Sequence, residues 1–355
     1  MHAFSRAFLA RLVNSASPSG HEAEAANLWA AEAREFAARV ERDPHGNTIA
    51  AVNPESPFRV MLAGHCDEIG FLVTHIDEKG FLWIAPIGGW DPQIAQGQRV
   101  RILGRQGHVP GVIGKCPVHL LSPDNRRKVV EIKELFVDIG SRSRAEAEAW
   151  VRVGDAMVLD QGYAELPNGL AVGRGFDNRA GAFVVLEALR LLAAHPPPAA
   201  VFAVATVQEE IGLRGATTSG HALHPRAAIA VDVTFATDHP NLGDAHKTEN
   251  EIRLGGGPVL SRGPHIHPRL FDLLLDTAGR EKIPVQINAY AGDTGTDADV
   301  LQLSRSGVST ALVSLPNRYM HSPCELVSLE DLDHAARLIA ATVARLKPDT
   351  DFTPF

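Results

Sequence analysis

Two adjacent carboxylates, Glu209 and Glu210, follow the apolar run AVFAVATV at 200–207. A carboxylate at the end of a buried strand must be paired, protonated or bound to a metal, because an isolated charge in apolar surroundings is strongly disfavoured. Four other places end an apolar run with side chains suited to metals. MLAGHCDEIG carries His65 and Asp67, which share one face of an extended chain because side chains alternate, and Cys66 then faces the other way. GRGFDNRAG puts Asp177 in a glycine-flanked loop before a helix, AAIAVDVT carries Asp232, and NRYMHSPCE supplies His321. Ligands of an open α/β sheet bind beyond the carboxyl ends of its strands, so clusters far apart in sequence can converge there.

Each residue also has an ordinary structural explanation. A lone histidine at a strand end is more often a hydrogen-bonded structural group than a ligand. Asp177 suits an N-cap, Asp232 can simply terminate a strand, and Glu209 can pair with Arg214. As a set, two histidines and at least four carboxylates make up the inventory of a two-metal hydrolytic site. Imidazole and carboxylate without thiolate suit zinc, cobalt or manganese. Such ions activate a water, and the chemistry then needs one carboxylate kept off the metals to take and return its proton. Adjacent glutamates offer a way to supply both kinds of group.

Other histidines fit this picture less well. His265 and His267 sit among Gly263, Pro264 and Pro268 and read as an exposed loop, and His221, His224, His239 and His246 read as solvated or capping loop residues. LGGGP at 254–258 lacks the spacing of a phosphate cradle, and neither a G-x-S-x-G elbow nor a cysteine nucleophile motif is present.

The elements that must hold these groups follow from pattern. A chain of 355 residues exceeds a single core of about 250–300, so a larger and a smaller domain are expected. The net charge of -8 argues against nucleic-acid or anionic-membrane partners. Three scattered cysteines fit reduced thiols and a cytoplasmic location. No signal-peptide pattern opens the chain, and no apolar run approaches the roughly 20 residues that span a bilayer.

The opening residues predict an amphipathic helix with Phe4, Phe8, Leu9 and Leu12 on one face, then a second helix over about 21–40, then the strands NTIAAV and FRVMLAG. Over 73–172 the texture changes to short β-rich runs separated by glycines and charged turns, with one helix opened by an S-x-x-E capping box at Ser143 and Glu146. The α/β rhythm resumes after Gly173, with helices expected over 180–194, 268–281 and 329–346. The expected fold class is α/β: a discontinuous domain over 1–72 and 173–355, with a mixed β-sheet flanked by helices, and a small β-barrel domain inserted at 73–172.

The order and spacing of SPSGHE, GHCDEIGFLV, FDNRAG, QEEIGLRGA, VDVT, GGGPVL, GTDAD and RYMHSPCELV resemble the metallo-aminopeptidases of the glutamyl aminopeptidase and tetrahedral aminopeptidase group, within the co-catalytic zinc peptidases. The resemblance covers nearly the whole chain. It implies a zinc-peptidase-like catalytic domain, a barrel used for dimerisation, dimers assembling to a dodecamer, and two divalent metal ions per subunit, with zinc or cobalt preferred over manganese. It implies His65 as a ligand of one metal, oriented by a catalytic Asp67, with Asp177 bridging and Asp232 as the second carboxylate on the His65 metal. Glu210 and His321 would hold the other metal, and Glu209 would be the general acid/base.

Two departures concern pocket shape: Gly175 and Phe176 precede Asp177 where relatives carry a small residue and leucine, and Asp299 stands where they carry glycine. The implied activity is removal of the N-terminal residue from short peptides. The same centre would also serve an N-acyl amino acid deacylase or a carboxypeptidase. A non-catalytic peptide-binding assembly protein would be marked by loss of Glu209 or a ligand, and none is lost.

Overall fold

The computed structural model describes residues 1–240, 242–244 and 250–354, so His246 lies outside the described residues. Strands β1 (Arg39–Arg42), β2 (Thr48–Val52) and β3 (Arg59–His65) open a large sheet. The next six, β4 (Gly70–Ile76), β5 (Leu82–Ile87), β6 (Arg99–Gly104), β7 (Gly107–Gly114), β8 (Phe136–Asp138) and β9 (Ala156–Leu159), close into a barrel in the order β4-β5-β8-β7-β6-β9. The chain then rejoins the large sheet through β10 (Ala164–Leu166), β11 (Leu170–Gly173), β12 (Ala200–Thr206), β13 (Ala227–Phe235), β14 (Val259–Arg262), β15 (Gln286–Ala289), β16 (Ser309–Arg318) and β17 (Glu325–Ser328).

The large sheet runs β1-β2-β12-β3-β13-β16-β17-β11-β10, with β14 and β15 branching beside β16. Its centre, β12-β3-β13-β16, is parallel, and its flanks are antiparallel. β12 is buried at every residue and β3 at all but its first, as their unbroken apolar runs require when helices cover a parallel sheet. The helix Phe176–Ala194 packs on β3, β12 and β13, and Arg214–Leu223 packs on β3 and β12. Gly64 allows one of these approaches: a Cβ there would lie 2.6 Å from the carbonyl carbon of Gly181. The barrel has its own core of Phe71, Val73, Ile84, Val100, Ile102, Ile113 and Val137.

Several elements differ from the sequence reading. The second helix spans Ala23–Ala33 only, because Arg39–Arg42 pairs with β2 instead of continuing the helix. Phe4 is half exposed and stacks under the Arg190 guanidinium at 4.9 Å rather than joining the core. Ser143 accepts from the Glu146 amide, but Glu146 turns its carboxylate to Arg142, so only half of the capping box forms. The short strands β10 and β11, placed by the sequence reading inside the insert at 73–172, belong to the large sheet because β11 pairs along β17, and the barrel begins at Gly70. The three cysteines are unpaired, Cys66 buried in the core and Cys116 and Cys324 exposed. Among the described residues, no helix is long and apolar enough to cross a membrane.

Candidate active site

The parallel strands deliver most of the singled-out side chains to one end of the sheet. His65 is the last residue of β3, and Asp232 lies near the end of β13. Glu209 and Glu210 follow β12 after Gln208 turns the chain with a left-handed φ of 55°, so the pair sits on a turn just beyond the strand. Asp177 enters from the start of the helix Phe176–Ala194, where Asn178 donates to the Val231 carbonyl and fixes that helix beside β13. His321 comes from the loop joining β16 to β17.

His65, Asp177, Glu209, Glu210, Asp232 and His321 all line one cleft of about 280 Å³, walled further by Phe235, Tyr290 and Met320. Asp67 is fully buried beside His65 and accepts from the amides of Glu209 and Glu210 and from Ser19 Oγ. His65 Nδ1 lies 3.4 Å from Asp67 Oδ1.

The six lining groups form two clusters joined at Asp177. His65 Nε2 is 3.4 Å from Asp177 Oδ1, 3.6 Å from Glu209 Oε2 and 3.7 Å from Asp232 Oδ1. His321 Nε2 is 3.2 Å from Asp177 Oδ2 and 3.5 Å from Glu210 Oε2. Donor atoms of His65, Glu209 and Asp232, and separately those of Asp177, Glu210 and His321, lie within 4.8 Å of one another, close enough to hold a metal ion.

The electrostatics are those of crowded, partly uncompensated anions. Burial raises Glu209, Glu210 and Asp232 above the usual carboxylate range, and neighbouring carboxylates add to the effect. Burial acts against Asp177 as well, yet hydrogen bonds from His321 and His65 hold it below that range. Desolvation disfavours the charged imidazoles, but the surrounding carboxylates, Glu209 foremost for His65 and Asp177 for His321, raise both histidines. Glu210 Oε1 is buried and has no hydrogen-bond partner. Four carboxylates facing two imidazoles, with an orphaned oxygen among them, form a donor set that fits divalent cations.

The structural alternatives also resolve. Arg214 reaches Gln208 rather than Glu209. Gly175, at φ 69°, is the residue that enters the helix, and no side chain caps it. Glycine suits that position twice over, because a Cβ would also lie 3.1 Å from Glu68 Oε2. Asp299 is not among the groups lining the cleft and is held within its own loop, accepting from the Thr294 and Gly295 amides and from Thr294 Oγ1. His267 binds the Phe352 carbonyl, whereas His265 is mostly buried and pairs with Asp293 at 2.9 Å.

Two further buried acids at the site lie within the GTDAD and RYMHSPCELV motifs but were given no role by the sequence. Asp297 accepts from Thr206 Oγ1 at 2.6 Å, and burial lifts it to about 6. Glu325 accepts from the amides of Asp177 and His321.

A family model described as M42 glutamyl aminopeptidase matches residues 46–338. The chain belongs to the M42 glutamyl aminopeptidase family. It is 40% identical over 324 residues to the lysyl aminopeptidase of Pyrococcus furiosus, covering 90% of this chain and 91% of that one. It superimposes on the crystal structure of a TET aminopeptidase from the marine sediment archaeon Thaumarchaeota archaeon SCGC AB-539-E09 with a TM-score of 0.92, at 35% identity and 97% coverage of both chains. A TET1 peptidase of Pyrococcus horikoshii, described as assembling into a tetrahedron or a large octahedral shell, matches with a TM-score of 0.86 at 29% identity, covering 96% of this chain and 100% of that one. This M42 member is thus an aminopeptidase, a peptide-bond hydrolase of a metallopeptidase family.

Proposed function

We propose that this M42 peptidase is a co-catalytic two-metal aminopeptidase that removes the N-terminal residue of short peptides. The observation that carries this reading is Asp177, which presents Oδ1 to His65 and Oδ2 to His321 and so suits a bridge between two ions. His65 and Asp232 would complete one binding set, and Glu210 and His321 the other; zinc or cobalt is preferred and manganese is compatible. Bound there, the ions would polarise the scissile carbonyl and lower the pKa of the attacking water.

Glu209 is the residue we assign to proton transfer. It lines the cleft beside Glu210 on the turn after β12, and its raised affinity for a proton suits a group that takes one from water and returns it to the leaving amine. Asp67 holds the His65 ring from behind and ties the Glu209 and Glu210 amides to the same carboxylate, so catalysis requires it although it is not exposed to the cleft. We further propose that the large-sheet domain, expected from the sequence over 1–72 and 173–355, acts as the catalytic domain, that the barrel β4–β9 within the expected insert at 73–172 serves dimerisation with dimers building a dodecamer, and that the enzyme works in the cytoplasm.

The test pairs metal removal with substrate polarity. Exhaustive chelation should abolish hydrolysis of aminoacyl-p-nitroanilides, and zinc, cobalt or manganese should restore it. N-acetylated peptides should be inert. Activity that survives chelation would overturn the metal mechanism, and preference for the N-acetylated substrate would indicate a deacylase.

A further inference from the structure

Glu325 is the first residue of β17, is only 2% exposed, and lies outside the set of groups that line the cleft. Its two oxygens divide between two partners: Oε2 accepts the Asp177 N–H at 2.9 Å, and Oε1 accepts the His321 N–H at 3.0 Å. These partners arrive on unrelated segments, one at the start of a helix and one in a loop between strands. His321 has a left-handed φ of 58° and Tyr319 one of 65°, a region that non-glycine residues occupy at a cost and hold only when their surroundings impose it. Glu325 also faces Gly173 across the β17–β11 pairing, and Gly173 leads directly into the segment that carries Asp177.

We propose that Glu325 is a positioning residue for one half of the centre, fixing the spacing of Asp177 and His321 through their backbone amides. The inference rests on the two-ion reading above. Its distinctive content is selectivity. His65 itself is braced by Asp67, which contacts its ring and accepts the Glu209 amide; Asp67 also accepts the Glu210 amide, so of the other set it is Asp177 and His321 that depend on Glu325. Weakening Glu325 should therefore loosen the set containing Asp177, Glu210 and His321 more than the set containing His65 and Asp232. A glutamine at 325 keeps one acceptor oxygen but turns an NH2 group toward the second N–H donor, so one of the two bonds is lost.

The experiment titrates metal-free protein with Co2+ by calorimetry, comparing wild type with Glu325→Gln, Glu325→Asp and His321→Ala. Metal-free thermal melting is measured alongside. Wild type should bind two ions per chain. Glu325→Gln should bind one with near wild-type affinity and the other about 10–100-fold more weakly, as typically follows loss of a group that orients metal ligands. Excess Co2+ should restore kcat with KM little changed. Equal weakening of both ions, or of neither, would overturn the inference. If Glu325→Gln does not fold, Glu325→Asp must show the same selective loss, and failure of both to fold would place Glu325's role in the fold instead. His321→Ala tests the two-ion centre on its own: if wild type binds a single ion, or His321→Ala still binds two tightly, the two-ion reading itself fails whatever the Glu325 variants do.

Discussion

Asp177 is where the site's two halves meet, and its environment leaves it little freedom. The carboxylate is nearly buried, each oxygen faces a different histidine, and the residue's own amide is held by Glu325. Asp177→Asn replaces one acceptor oxygen with a donor and removes the charge that the proposed bridge would use. We expect tight binding of both ions to fall on the order of 100-fold or more, measured by metal content after dialysis; loss of one ion only would mean that Asp177 does not bridge. Much of this site was legible from residue types. Period-two spacing put His65 and Asp67 on one face and sent Cys66 to the core, and the strand-end positions of Asp232 and the Glu209–Glu210 pair pointed to convergence. Glu325 and Asp297 fall inside the RYMHSPCELV and GTDAD motifs, but their roles were not legible, because these lie in backbone amides and a hydroxyl, most of them supplied by distant segments.

At the scale of elements, the helix Phe176–Ala194 is fastened to the end of β3 by a buried ionic network. Arg179 donates to Glu68 Oε1 at 2.6 Å and to the carbonyls of Val13 and Ser15, while Arg174 lies 3.2 Å from the other Glu68 oxygen. Removing one partner of a buried network leaves charge uncompensated, typically at about 3–5 kcal/mol. Arg179→Met should therefore lower the Tm of the metal-free protein by about 5 °C or more. An unchanged Tm would show that the network is not needed to dock the helix. Long elements with one strong period were readable in advance, such as Pro268–Glu281, which matches its expected span. The second helix was overestimated because AREFAARV has no glycine or proline to end it. What ends it is pairing of Arg39–Arg42 with β2, a contact that local propensity does not encode.

At the scale of the whole molecule, exposed apolar side chains gather on one connection of the barrel. Val118, Leu120 and Val129, on the connection between β7 and β8, are 48%, 77% and 54% exposed. Exposed apolar side chains on one connection suit an association surface, in keeping with the proposed dimerisation role of the insert. A Val118→Asp/Leu120→Asp variant should shift light scattering toward smaller particles; an unchanged particle size would place the interface elsewhere. In the proposed mechanism turnover depends on the assembled centre as a whole, and Glu209 would be the group that separates holding metals from moving a proton. The most direct test is therefore Glu209→Gln, assayed for aminoacyl-p-nitroanilide hydrolysis and for metal content in the same preparation. Turnover should fall by about 10²–10⁴-fold with two ions still bound per chain. Turnover close to wild type, or loss of an ion from the variant, would contradict that role.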